Sequence, residues 1–366
     1  MYREKEIVRI AARENNKKRS YLVVNRLQGK HIPASPKEII NMFDSLADEI
    51  RDRFDADKTL IIGFAETATA IGSRLAVKLG TAYMQTTREN IPGAEYLDFT
   101  ESHSHASQQR IVKQGLDVVI DRITDIVFAE DELTTGNTIL KAKSAVETAF
   151  PEKKLRFSAV SLLNGMDGDA VENYRRNNVG LYYLVKTDHS KYPQAAEAFV
   201  CDGDYFPAET EVSDAVSYEI NGALNPRIIT DGKKYGSACD NLADKIISLS
   251  GKINGNVLVL GTEECMYPAI RLAYRLEKSG CDVRTHSTTR SPISVSTDKS
   301  YPLHKRFELR SLYDSERLTY IYDIGKYERV IILTDALSSD DIGVRTLLTA
   351  LRKAGNRNIE MVRWIK

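Results

Sequence analysis

Short runs of β-branched and apolar residues alternate along the chain with longer segments in which apolar residues return every three or four positions. The first pattern predicts strands and the second amphipathic helices. Strands are predicted at 59–63, 82–85, 123–129, 157–163, 257–261, 330–333 and 361–365, with helices between them. Alternation of this kind builds α/β folds with mostly parallel sheets. The best-marked helix starts after Ser35. Ser35 and Glu38 have the spacing of a capping box, Pro36 stands at the first helical position, and Ile39, Phe43, Leu46, Ala47 and Ile50 repeat at helical intervals.

The two halves of the pattern resemble each other. Leu46-Ala-Asp-Glu-Ile50 returns as Leu242-Ala-Asp-Lys-Ile246, the strand ending at Gly63 as the one ending at Gly261, and Thr86-Thr-Arg88 as Thr288-Thr-Arg290. Glu130-Asp-Glu-Leu-Thr-Thr-Gly136 lines up with Thr334-Asp-Ala-Leu-Ser-Ser-Asp340. The offsets along this series are 196, 198, 202 and 204, rising in order as small loop insertions produce them. The series predicts a duplication of one α/β unit. The expected division is a first domain over 1–165, a connector over 166–225 rich in Tyr, Asp and Asn, and a second domain over 226–366.

Charge narrows the function classes. Lys plus Arg and Asp plus Glu both total 51, a balance that argues against a general nucleic-acid binder. The short basic stretch Lys17-Lys-Arg19 reads as a solvated segment. No run approaches the 18 apolar residues of a membrane span, and the N-terminus lacks the apolar core of a secretion signal. The four cysteines are scattered, with no pairing that predicts zinc or a disulfide framework. A cytoplasmic protein is expected.

The sharpest chemical signal follows the strand at 123–129. Glu130 and Asp131 stand at its carboxyl end, and Thr134-Thr-Gly-Asn-Thr138 opens the next helix. Ligands of open α/β sheets bind at that end of the strands. A small-residue turn at a helix start offers backbone amides and the positive end of the helix dipole to an anion. The hydroxyls of Thr134, Thr135 and Thr138 add donors, with Gly136 and Asn137 between them. Two carboxylates beside a phosphate must engage something neutral or cationic, and ribose hydroxyls bridged by Mg²⁺ meet that need. The stretch therefore reads as a ribose 5-phosphate cradle.

This loop resembles the 5-phosphoribosyl-1-pyrophosphate (PRPP) motif of type I phosphoribosyltransferases, with Glu130 in place of the usual first Asp. More narrowly, the chain is similar to orotate-phosphoribosyltransferase-like proteins of bacterial tellurite-resistance (ter) gene clusters, which carry a C-terminal domain named for a Thr-Arg-Ser-Pro motif. The likeness rests on Gly29-Lys-His-Ile-Pro33, Gly63-Phe-Ala-Glu-Thr-Ala-Thr69, His103-Ser-His-Ala106, the acidic loop and Thr289-Arg-Ser-Pro292. It implies a type I phosphoribosyltransferase fold followed by a diverged copy. It also implies displacement of pyrophosphate from PRPP, Mg²⁺ as cofactor, an N-terminal hood over the acceptor, a homodimer, and biosynthetic partners from the same cluster.

Under that resemblance the turn Ala65, Glu66 and Thr67 would hold pyrophosphate, although an ordinary strand-to-helix turn also fits. Arg88 would neutralise the leaving pyrophosphate, or stand on the surface. His103, His105 and Arg110 fall in a polar stretch that reads as a lid with catalytic groups, with an exposed loop or a metal-binding His pair as alternatives. Lys30 and His31 would bind the acceptor, helped by Arg290 of the second half, unless Ser291-Pro292 only ends a strand. The second half has lost one acid of the pair and puts Asp340 and Asp341 where the phosphate turn needs Gly and a neutral residue, so it should not bind PRPP in the same manner. Its Gly261 turn reads as the first turn with Thr for Ala and Glu for Thr. A PRPP- or nucleotide-sensing module without catalysis is the alternative function.

Overall fold

The computed structural model describes residues 2–14, 19–99, 109–211, 215–251, 253–337 and 341–366, of which Asp341 is described in its backbone alone. Contacts divide the chain into two compact units, one of Asn41–Thr187 with Leu224–Ala238, the other of Met1–Ile40, Asp188–Ala223 and Cys239–Lys366.

The first unit is built on a six-stranded sheet in the order Thr230–Asp231, Ala82–Gln85, Thr59–Gly63, Asp125–Leu133, Arg156–Asn164, Val179–Lys186. All neighbours are parallel except the short Thr230–Asp231 edge. Every residue of Thr59–Gly63 is buried, as a central strand covered on both faces requires. The Thr69–Leu79 helix comes down onto this strand at a glycine pair: a Cβ on Gly72 would lie 2.8 Å from the Gly63 Cα. That close approach needs two residues without side chains. A bidentate ion pair, Arg74 Nε and Nη2 to the two oxygens of Asp44 at 2.6 and 2.8 Å, holds the helix to the preceding one.

The second unit repeats the plan. Its five-stranded sheet runs Val216–Asn221, Ile359–Ile365, Arg329–Thr334, Asn256–Gly261, Asp282–Ser287, all parallel. The last four reproduce, in order and direction, the strands 156–164, 125–133, 59–63 and 82–85 of the first unit. The Arg74–Asp44 pair has its counterpart in Arg271 and Asp240, at 2.7 and 2.9 Å. The expected duplication is thus present at the level of topology, strand order and a matching interhelical ion pair. Leu258, Leu260, Val330, Ile332 and Met361 from the sheet pack with Leu347, Leu348 and Leu351 of the Asp341–Lys353 helix.

Three features differ from the sequence reading. The strand expected to end at Ala129 continues to Leu133, because Glu130 and Glu132 stay in register with Ser161 and Leu163 of the next strand. The acids therefore stand on the strand itself. The stretch 166–225 is more than a connector: it contributes the edge strands Val179–Lys186 and Val216–Asn221, one to each sheet. The antiparallel pair Val8–Ala12 and Tyr21–Asn25, expected as a hood of the first domain, places Ala11 and Val24 in a buried cluster with Ile293, Val295, Tyr301, Leu303, Tyr320 and Tyr322 of the second unit. Among the described residues no helix is long and apolar enough to cross a membrane.

The helix Pro36–Ile50 starts where expected, but its cap is shared. The Glu38 amide reaches Ser35 Oγ only at 3.4 Å, while Glu277 takes the Ser35 hydroxyl at 2.9 Å and the Lys37 amide at 2.7 Å. A carboxylate from a distant helix so supplies the negative charge that the first turn calls for. Glu277→Ala should cost about 1 to 2 kcal/mol, read as a lower urea midpoint of the full chain, and Glu277→Gln less, because the amide still accepts one bond. An alanine variant as stable as the parent would show that the cap is idle.

Candidate functional site

The first unit gathers its polar groups at the carboxyl ends of the strands 59–63, 82–85 and 125–133. Past Gly63 the chain turns through Ala65–Thr67, with a cis peptide between Ala65 and Glu66. The turn is pinned by its neighbour strand: the Ala65 amide donates to Thr86 Oγ1 at 2.8 Å, and the Thr86 amide donates to Gly63 O at 2.9 Å. Gln109, just before the Arg110–Val112 strand, donates its side-chain amide to Ala65 O, and Thr69 Oγ1 donates to Glu66 O at 3.1 Å.

The acidic strand end meets this turn directly. Thr67 Oγ1 donates to Asp131 Oδ1 at 2.9 Å, so the two loops named from sequence are in contact. Glu130 is part-buried, and burial pushes its carboxyl well above the usual carboxylate range. The charge of Asp131 raises it further, while Arg88 acts in the opposite sense and so stands within its field. Burial and the adjacent like charge both disfavour ionisation of Glu130, and the Arg88 guanidinium favours it.

The turn beyond is built around Gly136. It caps the Asn137–Ala149 helix in the left-handed region, at φ 71°. Tyr174, the buried residue of the Gly168–Arg176 helix, lies beneath it and donates to Gly136 O at 3.1 Å. The Tyr174 phenol is held well above its ordinary range, by burial first and then by the charge of Glu130. A Cβ on Gly136 would fall 2.3 Å from the Tyr174 ring. Thr135, Asn137 and Thr138 are exposed around the helix start and Thr134 is part-buried, with the Asn137 amide on Thr135 Oγ1 at 3.4 Å.

Of the residues singled out from sequence, the turn Ala65, Glu66 and Thr67, Arg88, and the stretch Glu130 to Thr138 come together here. Arg110 is engaged on its own hairpin: it donates to Glu89 O and Asn90 Oδ1, both at 2.9 Å, and its guanidinium covers the Tyr96 ring at 4.0 Å. His103 and His105 lie outside the described residues. Lys30, His31 and Arg290 belong to the second unit, and all but Arg290 are buried. Lys30 Nζ donates to Thr288 O at 2.9 Å and Glu263 O at 3.1 Å, and Arg290 pairs with Glu263 at 2.7 Å and Glu264 at 3.4 Å. Their partners are groups of the chain itself. Tyr174, Gln109 and the Thr86 hydroxyl were not anticipated. Tyr174 sits in a polar segment with no local signal, and Gln109 at the edge of a stretch without apolar period.

Residues 7–187 match a family model described as phosphoribosyl transferase, and residues 230–351 match one described as the TRSP domain C-terminal to it. Among solved structures the chain is similar to adenine phosphoribosyltransferase from Giardia lamblia complexed with 9-deazaadenine, with 16% identity over 50% of this chain and 96% of that one, at a TM-score of 0.36. It is also similar to orotate phosphoribosyltransferase from Aeropyrum pernix, with 16% identity over 50% and 89% of the two chains and a TM-score of 0.33. Adenine phosphoribosyltransferase from Trypanosoma brucei in complex with AMP, pyrophosphate and ribose-5-phosphate shares 14% identity over 50% and 77%, at a TM-score of 0.36. No curated protein matches.

Two outcomes follow from this geometry. Gly136→Ala forces a Cβ into the Tyr174 ring and a left-handed backbone onto alanine, and should destabilise the first unit by about 1 to 3 kcal/mol, measured by denaturant unfolding; Tyr174→Ala in the same chain should recover part of it. For Glu130 the folded carboxyl holds its proton to higher pH than the unfolded one. Its contribution is therefore fully present below the ordinary value of 4.5 and is lost as pH rises through the folded value. Glu130→Gln should melt with the parent in acid and increasingly above it as pH rises toward 8; a constant difference would refute the perturbed carboxyl.

Proposed function

We propose that this chain, a member of the phosphoribosyl transferase family over residues 7–187 with a TRSP domain over 230–351, transfers a 5-phosphoribosyl group from PRPP to a small acceptor. The observation that carries the reading is the Thr67–Asp131 bond, which joins a strand-end acid pair to a second anion-type turn in one site. In this reading Glu130 and Asp131 take the ribose hydroxyls, the amides and hydroxyls of Thr134 to Thr138 take the 5-phosphate, and the turn Ala65 to Thr67 takes pyrophosphate. The bond from C1′ to the pyrophosphate oxygen breaks as a nitrogen, or another nucleophile, of the acceptor bonds to C1′. Arg88 stabilises the charge that collects on the departing pyrophosphate.

Glu130 and Asp131, adjacent carboxylate residues with oxygen donors, are the residues that would hold Mg²⁺. Among the described residues no three His, Cys, Asp or Glu side chains are grouped to hold a metal. With PRPP bound, the ion would supply charge neutralisation for the departing pyrophosphate. His103 and His105, outside the described residues, are candidates in this reading for stabilising the departing pyrophosphate. An acceptor of base-like chemistry, a nucleoside-like product, a second copy of the chain, biosynthetic proteins of a tellurite-resistance cluster and a cytoplasmic setting complete it.

The test is calorimetric titration of the full chain with PRPP and Mg²⁺, followed by a pyrophosphate-release assay with a metabolite mixture as acceptor. PRPP should bind, Asp131→Asn should weaken it by about tenfold or more, some 1.4 kcal/mol, and an acceptor should trigger release. Binding without release under any acceptor would favour a sensor. No heat from PRPP or any ribonucleotide, or an Asp131→Asn chain that binds unchanged, would remove the reading.

A further inference from the structure

The duplication can be registered residue by residue, because the same hydrogen bonds recur. The Glu263 amide donates to Thr288 Oγ1 at 2.9 Å and the Thr288 amide to Gly261 O at 3.1 Å, as the Ala65 amide does to Thr86 Oγ1 and the Thr86 amide to Gly63 O. The next residue confirms the register: Thr289 exchanges two backbone bonds with Tyr320 at 2.8 and 2.7 Å, as Thr87 does with Arg110 at 2.9 and 3.0 Å. Glu263 thus stands at the position of Ala65, Glu264 at that of Glu66, and Arg290 at that of Arg88. This corrects the reading of the Gly261 turn from sequence, which was one residue out: alanine has become glutamate.

The substitution fills the site. The Glu263 side chain is 1% exposed. One carboxylate oxygen, Oε2, takes Arg290 Nε at 2.7 Å and Arg317 Nη1 at 3.0 Å, and the other takes the Ser311 hydroxyl. Two guanidinium groups and a hydroxyl closing on one pair of oxygens is the donor set of an oxyanion site. The strand end is closed in the same way. Where the first unit has Glu130 and Asp131 the second has Thr334 and Asp335; Thr334 Oγ1 accepts from Thr262 Oγ1 at 2.8 Å, and Asp335 takes the Tyr313 hydroxyl at 2.6 Å.

We propose that the TRSP unit keeps an oxyanion site of the phosphate or diphosphate class and that the chain's own Glu263 carboxylate occupies it permanently. Arg290, the arginine of the Thr-Arg-Ser-Pro motif, is a positioning residue that holds this internal ligand, so ligand chemistry is confined to the first unit. The inference stands on the register of the repeats and the Arg290–Arg317 pincer, and rests on the proposed reading of the first unit's Ala65–Thr67 turn as an anion site.

Glu263→Ala restores the residue of the first unit and removes the carboxylate that the two arginines share, leaving Arg290 to Glu264 and Arg317 to Asp314. Its melting midpoint should fall below the parent's, and millimolar pyrophosphate or sulfate should raise it by several degrees more than they raise the parent's. Adding Arg290→Ala and Arg317→Ala should abolish that extra gain; because all three chains share the first unit, its own binding cancels. Crystals of Glu263→Ala soaked in pyrophosphate should show the anion between Arg290 and Arg317. An anion response equal to the parent's, or one that survives loss of both arginines, would overturn the proposal. Should Glu263→Ala fold only with the anion present, that dependence supports it. The parent soaked in pyrophosphate gives a second check that needs no variant: Glu263 should stay in place, and diphosphate displacing it would overturn the permanent occupancy.

Discussion

A single hydroxyl at the end of a neighbouring strand governs both sites of this chain. Parallel sheets leave the amides of their strand-to-helix turns without ladder partners, and an amide at such a turn must find an acceptor. Thr86 provides it for Ala65 and Thr288 for Glu263. The turn is thereby fixed against the adjacent strand rather than left to the solvent. Everything chemical in either unit is positioned from it: which side chain enters the site at residue 65 or 263, how the acid pair meets Thr67, and where the following arginine, Arg88 or Arg290, is carried.

Given one scaffold used twice, the difference between the units is electrostatic. The first has the uncharged Ala65 at this position, and it keeps Glu130 beside Asp131 and within the field of Arg88. A carboxyl displaced by burial and by a neighbouring like charge is the kind of perturbation that functional sites concentrate. The second contains its own counter-charges. Glu263 and Glu264 face Arg290, Arg317 pairs with both Glu263 and Asp314, and the Lys30 ammonium sits on the carbonyls of Glu263 and Thr288. Part-buried arginines deprived of a ligand must be paired or lost, because an uncompensated charge away from water is costly. This chain has paired them.

What the sequence made legible follows the same physics. Central strands are buried on both faces, so they read as continuous apolar runs: the strands at 59–63 and 82–85 lie where the runs are, and the duplication appears as an ordered set of offsets. Edge strands have no such signature. Val179–Lys186 and Val216–Asn221 are largely part-buried or exposed, so their composition resembles that of a connector. The stretch from Glu130 to Thr138 could be singled out because its residues are contiguous. Tyr174, Gln109 and Glu277 were not, since each acts on a partner far away in sequence, and nothing local to them states which backbone atom they will meet.

The misread turn shows why register matters more than resemblance. By letter, Gly261-Thr-Glu-Glu keeps glycine and an acid from Gly63-Phe-Ala-Glu, and a one-residue slip changes little in the likeness. In the fold the slip decides everything, because the residue whose amide reaches the threonine hydroxyl is also the one whose side chain enters the anion position. Alanine there brings no charged group to the turn. Glutamate there is a ligand, already bonded into the chain at no cost in translational freedom. Arg290 keeps the same place after its strand as Arg88, yet its guanidinium is committed to carboxylates that the first unit lacks at residue 65. The chemistry of an arginine in this fold is therefore set by the residue two strands' ends away, and the motif that contains it carries no function that can be read apart from that neighbour.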